Sequence, residues 1–228
     1  MRIIESSFQI VKPASLEEGI ESLRLIERFA RISHRSEDRQ TEDSWRRFIE
    51  AVILQHGDWS VVEHASASVI FRVDRGIALE MVRHRLFSFT MESTRFCNYA
   101  KKGEMEFIQP SETDDTGSIF ITREGQARQF WEAHMRDCEN KYFAILNTGR
   151  SPQIARSVLP NSLASSIAMT GNLRSFRWFF LARTSRECHP DMLRVTLPLL
   201  EAFKERIPLL YDDVESQQKQ SISMSKIH

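Results

Sequence analysis

Apolar residues recur at three- and four-residue spacing from Ser15 onward. Ile20, Leu23, Leu25, Ile26 and Phe29 share a stripe, and Ser15 with Glu18 forms a capping box ahead of it. The pattern predicts a helix over "SLEEGIESLRLIERFARISHR". "SWRRFIEAVILQHG" repeats it and stops at Gly57. The period then falls to two in "VVEHASASVIFRV", which is rich in β-branched residues and predicts a strand. Asp74 reads as the N-cap of a helix in "RGIALEMVRHRLF", with Ile77, Ala78, Met81, Val82 and Leu86 as its buried stripe.

Further on, "KKGEMEFIQPSETDDTGSIFITREG" reads as a strand followed by a polar excursion. "REGQARQFWEAHMRDCENKYFAILNTG" predicts a long helix and "SPQIARSVLP" a short one with Pro at its start and end. "LASSIAMTGNL" looks strand-like, "RSFRWFFLART" helical, and "PDMLRVTLPLLEAFKERIP" helical with Pro198 inside. Helices outnumber strands and do not alternate with them regularly, so the pattern predicts one α+β domain over residues 1–215. The last stretch, 216–228, has too little apolar content to dock and is expected to be a loose tail.

Composition narrows the partners. A chain of 228 residues can bury roughly 70% of its unfolded surface. Lys plus Arg equals Asp plus Glu at 31 each, so no excess charge advertises nucleic-acid binding, and a small, specific ligand is expected. Cys97, Cys138 and Cys188 are far apart, which argues against a disulfide framework or a cysteine zinc site and for a reducing cytoplasm. The start has no signal-peptide pattern, and no apolar run approaches the roughly 20 residues that span a bilayer. No membrane association is expected.

The chemistry concentrates in "RHRLFSFTMESTRF", Arg83 to Phe96. Three arginines beside four hydroxyls repel one another unless an anion sits among them, and guanidinium forks with hydroxyls suit phosphate oxygens. The bland alternative is a solvated helix end followed by a polar loop. Consecutive helical side chains point about 100° apart, so Arg83, His84 and Arg85 cannot face one ligand from a regular helix. Either the helix ends there or the three serve different groups. The eight glycines form neither a dinucleotide fingerprint nor a phosphate-binding loop, and no zinc-protease or serine-hydrolase motif occurs. "ECHPD" offers Cys188, His189 and Asp191, but three ligands so close in sequence converge poorly on one ion; no metal is expected.

"RHRLFSFTMESTRF" resembles the signature of flavin-dependent thymidylate synthases. "VEHASASVIFRVDRGIALEMVRHR" is similar to the strand and helix leading into it, "ARSVLP" to the family's second arginine motif, and "NLRSFRWFFLAR" to its flavin and substrate helix. The resemblance implies a central, mostly antiparallel sheet flanked by long helices. It implies reductive methylation of dUMP to dTMP, with 5,10-methylenetetrahydrofolate as carbon donor and FAD reduced by NADPH as hydride source. No protein nucleophile is required, in keeping with three cysteines that show no activating setting.

By position, the resemblance places His64, Ser66, Arg83, His84, Arg85, Met91, Asn172, Leu173, Arg174 and Trp178 at FAD. It places Glu80, Met81, Val82, Arg83, Met91, Glu92, Ser93, Thr94, Arg95, Arg156 and Arg183 at dUMP, with Arg183 as the catalytic cation against the uracil. The better-known signature has Asn-Glu at Thr90 and Met91, Tyr at Phe96 and Gln at Glu80. Glu80 is therefore expected to face the base or ribose, or to pair with Arg83 one turn away. The family also implies a homotetramer with sites shared between subunits. The alternative is a non-catalytic nucleotide- or RNA-binding module built on the Arg83–Arg95 cluster.

Overall fold

The computed structural model describes residues 1–111 and 126–214. Its strands are β1 (Arg2–Ile4), β2 (Ser7–Lys12), β3 (Ser66–Asp74), β4 (Ser88–Met91), β5 (Glu106–Ile108) and β6 (Ala164–Asn172). Its α-helices are α1 (Leu16–Ile32), α2 (Ser44–Phe48), α3 (Arg75–Met81), α4 (Gln126–Asn147), α5 (Pro152–Ala155), α6 (Leu173–Arg183) and α7 (Pro190–Arg206). Four strands form one antiparallel sheet in the order β2-β3-β6-β4, while β1 and β5 make a separate parallel pair. The chain is α+β, with helices flanking the sheet. The excursion after β5 and the tail from 216 fall outside the described residues, apart from Ser111 at the excursion's start.

The capping box at α1 closes with a one-residue shift. Ser15 Oγ accepts the Glu18 N–H at 3.3 Å, but the Glu18 carboxylate accepts the N–H of Ala14, at 2.7 Å, instead of that of Ser15. Leu23 and Ile26 enter the core, whereas Leu25 and Phe29 of the predicted stripe stand partly in solvent. The inner face of α1 carries Glu27 instead, buried and satisfied by Arg31 at 2.6 Å and Ser44 at 2.9 Å. Gly19 lies where α1 crosses the end of α7, and a Cβ there would overlap the Arg206 carbonyl. Gly19→Ala is expected to destabilise the protein by about 1–3 kcal/mol, because backbone cannot yield as a flexible side chain can. Calorimetry would show this as a Tm several degrees lower.

Two sequence expectations are corrected. The strand predicted from Val61 begins only at Ser66, because Trp59–His64 turn as a 3₁₀-helix that buries Val62. Leu86, assigned to a buried stripe, is 75% exposed, because α3 stops at Met81 and the helical period no longer governs where Leu86 points. A second, smaller apolar cluster around Tyr99, Phe107 and Tyr142 packs beneath α4.

β3 and β6 form the frame on which the arginine-bearing helices are hung. They pair from Ser66↔Asn172 to Asp74↔Ala164, a span of about 27 Å at strand rise. Each hands over to a helix through a side-chain cap. Asp74 Oδ1 accepts the Ile77 N–H at 2.9 Å to start α3, and Asn172 Oδ1 accepts the Ser175 N–H at 2.7 Å to start α6. The strands are antiparallel, so the helices start at opposite ends of the sheet. Their lengths, about 10 Å and 16 Å at helical rise, bring their C-termini together. No helix among the described residues is long and apolar enough to cross a membrane.

Candidate active site

Arg183 ends α6 and meets the end of α3. Its Nε donates to His84 Nε2 at 2.9 Å, one terminal nitrogen to the Glu80 carboxylate at 3.3 Å, and the other to the Glu80 carbonyl at 3.5 Å. The last contact sets a cation on a helix C-terminus, where carbonyls lack intrahelical partners. Glu80 pairs with Arg183, a partner the sequence did not suggest, and not with Arg83, because the ends of two helices meet here, which one-turn spacing within α3 could not foresee. The Cys188 thiol also lies beside Arg183, and burial holds its pKa above the ordinary value despite that cation.

The helix ends before the three signature residues, the first of the two alternatives, and the three point apart. Arg83 and Arg85 point to solvent and have no side-chain hydrogen bond or ion pair among the described residues, while His84 turns inward and is 4% exposed. Its ring is enclosed by Phe87, Trp178 and Phe179 at centroid distances of 6.4, 5.2 and 5.0 Å. Phe87 itself lies on Gly171 of β6, where a Cβ would overlap its ring. Burial, and then the neighbouring Arg183 charge, lower the His84 pKa from 6.5 to about 4. An unfolded chain therefore takes up a proton at this residue in a range where the folded chain does not. That contribution to stability is whole above pH 6.5 and is lost as pH falls toward 4, by up to about 3 kcal/mol. Denaturant titrations across this range should show a shallower pH slope for His84→Gln than for wild type.

Five of the residues assigned to FAD, His64, Ser66, Asn172, Leu173 and Arg174, gather near the Asn172 end of the sheet, whereas Met91 lies in mid-strand opposite Ile167 and Arg83, His84 and Arg85 follow α3. Ser66 pairs with Asn172, and the Leu173 N–H donates to the Ala65 carbonyl at 2.9 Å. Arg174 pairs with Glu63 at 2.7 Å, and exposed His64 meets the Phe29 ring edge-on at 4.7 Å. Leu173 is buried. Trp178 is 59% exposed although its ring also meets that of His84, an unusual position for an indole.

The residues assigned to phosphate gather at the opposite end. A cleft of about 540 Å³ is lined by Arg75, Thr94, Gln153, Arg156 and Asn161. Arg95 borders it, its Nε donating to Gln153 at 3.2 Å. Arg156 has no ion-pair partner among the described residues. Ser93 Oγ accepts the Arg95 N–H at 3.3 Å and shapes the turn. A second cavity of about 260 Å³, reached past Asn161, runs toward Glu80 along α3.

Several assigned residues face inward. Met81 is buried, and Val82 and Met91 pack against the main core. Glu92 accepts from Arg72 at 2.9 Å and from the Tyr99 hydroxyl at 2.9 Å, tying the signature to β3. Arg75 and Gln153 carry no signal in the sequence pattern, since only the folded cleft brings them beside Thr94 and Arg156. Of the "ECHPD" residues, Cys188 lies toward Arg183, while His189 and Asp191 stand 3.9 Å apart and line the second cavity. His189 Nδ1 accepts the Asp191 N–H at 3.1 Å at the start of α7, and Asp191 accepts the Ser111 N–H at 2.6 Å.

The family model described as thymidylate synthase complementing protein matches residues 16–209. The flavin-dependent thymidylate synthase of Corynebacterium efficiens is 33% identical over 171 residues, covering 72% of this chain and 67% of its own. That of Mycobacterium tuberculosis is 31% identical over 170 residues with the same shares. Crystal structures of a UMP/dUMP methylase, PolB from Streptomyces cacaoi, share the fold. Its complex with 5-Br UMP gives a TM-score of 0.75 at 21% identity, covering 96% of this chain and 98% of that one. The complex with 5-Br dUMP gives 0.75 at 21%, covering 95% and 97%. With a family match across most of the chain, and a shared fold beneath it, this chain belongs to the flavin-dependent thymidylate synthase family.

Proposed function

We propose that the chain, as one domain over 1–215, converts dUMP to dTMP using 5,10-methylenetetrahydrofolate as carbon donor, FAD as cofactor and NADPH as reductant. The observation that carries this reading is the fixed, part-exposed Arg183 guanidinium held between His84 and Glu80, beside an exposed indole and two exposed arginines without partners among the described residues. The residues fit a flavin dinucleotide. Arg83 and Arg85, after the end of α3, offer bidentate donors to its diphosphate, Asn172 and Arg174 offer polar contacts at the start of α6, and Trp178 offers a face for stacking. Bound FAD, once reduced by NADPH, supplies the hydride that turns a C5 methylene into a methyl group.

The chain's own residues would do the rest. Arg156, Arg95, Ser93 and Thr94 would hold the 5′-phosphate, with Arg75 in the same cleft. Arg183 would donate to the uracil O2 edge and stabilise the negative charge that develops there as C5 attacks. It cannot act as a base, since guanidinium keeps its proton. Met91, where the better-known signature has Glu, packs inward, so any contact to dUMP or FAD there would come from the backbone. The separation of the two residue groups along β6 supports a site completed by a neighbouring subunit of a homotetramer.

The visible spectrum of the purified protein tests the cofactor assignment. A flavin spectrum, native or after adding FAD, that is bleached by NADPH is expected. A colourless protein that takes up no FAD and carries RNA would return the chain to the non-catalytic nucleotide- or RNA-binding reading.

A further inference from the structure

We propose that His84 is a positioning residue for Arg183: its unprotonated Nε2 takes the Nε–H of the arginine and fixes the rotation of the guanidinium, so that the N–H groups left over face the substrate. This rests on the proposed role of Arg183. It departs from reading His84 as a residue that touches FAD, because the imidazole is turned away from solvent into an aromatic box.

The tautomer is set by the donor. An arginine Nε can only donate, so His84 Nε2 must present a lone pair and the ring proton must sit on Nδ1. Nδ1 is buried and has no hydrogen-bond partner among the described residues. Leaving such a donor unmet costs free energy, so the arrangement persists only because surrounding structure imposes it. Phe87, wedged onto Gly171, closes one wall of the box, and Trp178 and Phe179 on α6 close the others. Those two aromatics stand on the same helix as Arg183, so one element carries both the guanidinium and two walls of the box.

Glu80 alone could not set the guanidinium's orientation. Its contacts are longer, at 3.3 and 3.5 Å, and the carboxylate is partly exposed, leaving the arginine free to pivot about its terminal nitrogens. Adding the short Nε contact gives a third point and defines a plane. A guanidinium that must meet a planar base edge needs that plane as well as its charge.

The test pairs spectroscopy with kinetics on the intact protein. Nitrogen-15 spectra of the histidine rings should show a neutral His84 carrying its proton on Nδ1, with the Nε2 resonance moving in Arg183→Lys. These spectra hold whether or not dUMP is the substrate, so they separate this proposal from the proposed function. In turnover, His84→Leu should lower kcat by about tenfold to a hundredfold, the scale of an ångström of misplacement. FAD affinity should change by less than roughly threefold, since no cofactor contact is lost. His84→Gln, whose carbonyl oxygen can accept from Nε, should recover much of the rate. A proton found on Nε2, a loss of FAD affinity as large as the loss of kcat, or a Gln variant no better than Leu would each overturn the proposal.

Discussion

Arg183→Lys is expected to slow dTMP formation by about 10²–10³-fold, the range for removing one aligned donor from a developing oxyanion. FAD affinity should stay nearly unchanged. The ammonium keeps the positive charge but is a point, and it has no Nε–H to place on His84. It would still be drawn to the Glu80 carboxylate, which lies 3.3 Å from the native guanidinium. The variant therefore keeps the ion pair and loses the oriented fork. Steady-state kinetics separate the two contributions: a fall in kcat with little change in the dUMP KM marks a group used chiefly in the transition state. Unchanged dTMP formation would remove Arg183 from that role.

Mixing two inactive variants should restore activity. Arg95 lies by the cleft at the Ala164 end of β6, whereas Arg183 is held by His84 and Glu80 where α3 and α6 meet. If one dUMP needs Arg95 from one subunit and Arg183 from another, Arg95→Ala and Arg183→Ala are each inactive alone. One lacks the phosphate clamp and the other the uracil contact. After subunits exchange at random in equal amounts, about a quarter of the shared sites draw both intact residues. Each variant taken alone through the same exchange must stay inactive. No recovery, in mixed oligomers confirmed by mass, would mean that a single chain supplies both residues.

Much of this arrangement is legible in local sequence. The Asp74 cap and the start of α1 at Ser15 obey short-range rules, since a cap involves residues within one turn. Leu86 misleads because a periodic pattern continues on paper after the backbone has left the helix. The partners of Glu80, Glu92 and Arg75 are illegible for a different reason. Each depends on two segments meeting across the sheet: α3 with α6, the signature with β3, and α3 with the Thr94 and Arg156 cleft. Spacing within one segment carries no record of that closure. The inward turn of His84 lies between these cases. Helical geometry leaves two alternatives, a helix end or side chains that diverge, and only Phe87, Trp178 and Phe179 determine which of the three is buried.

The most direct measurement is formation of dTMP from dUMP by the purified, flavin-loaded protein, followed by mass spectrometry with NADPH and methylenetetrahydrofolate supplied or withheld in turn. Conversion that requires both, and that fails in apoprotein until FAD is restored, is the predicted result. A fully flavin-loaded protein that forms no dTMP with every component present would contradict it.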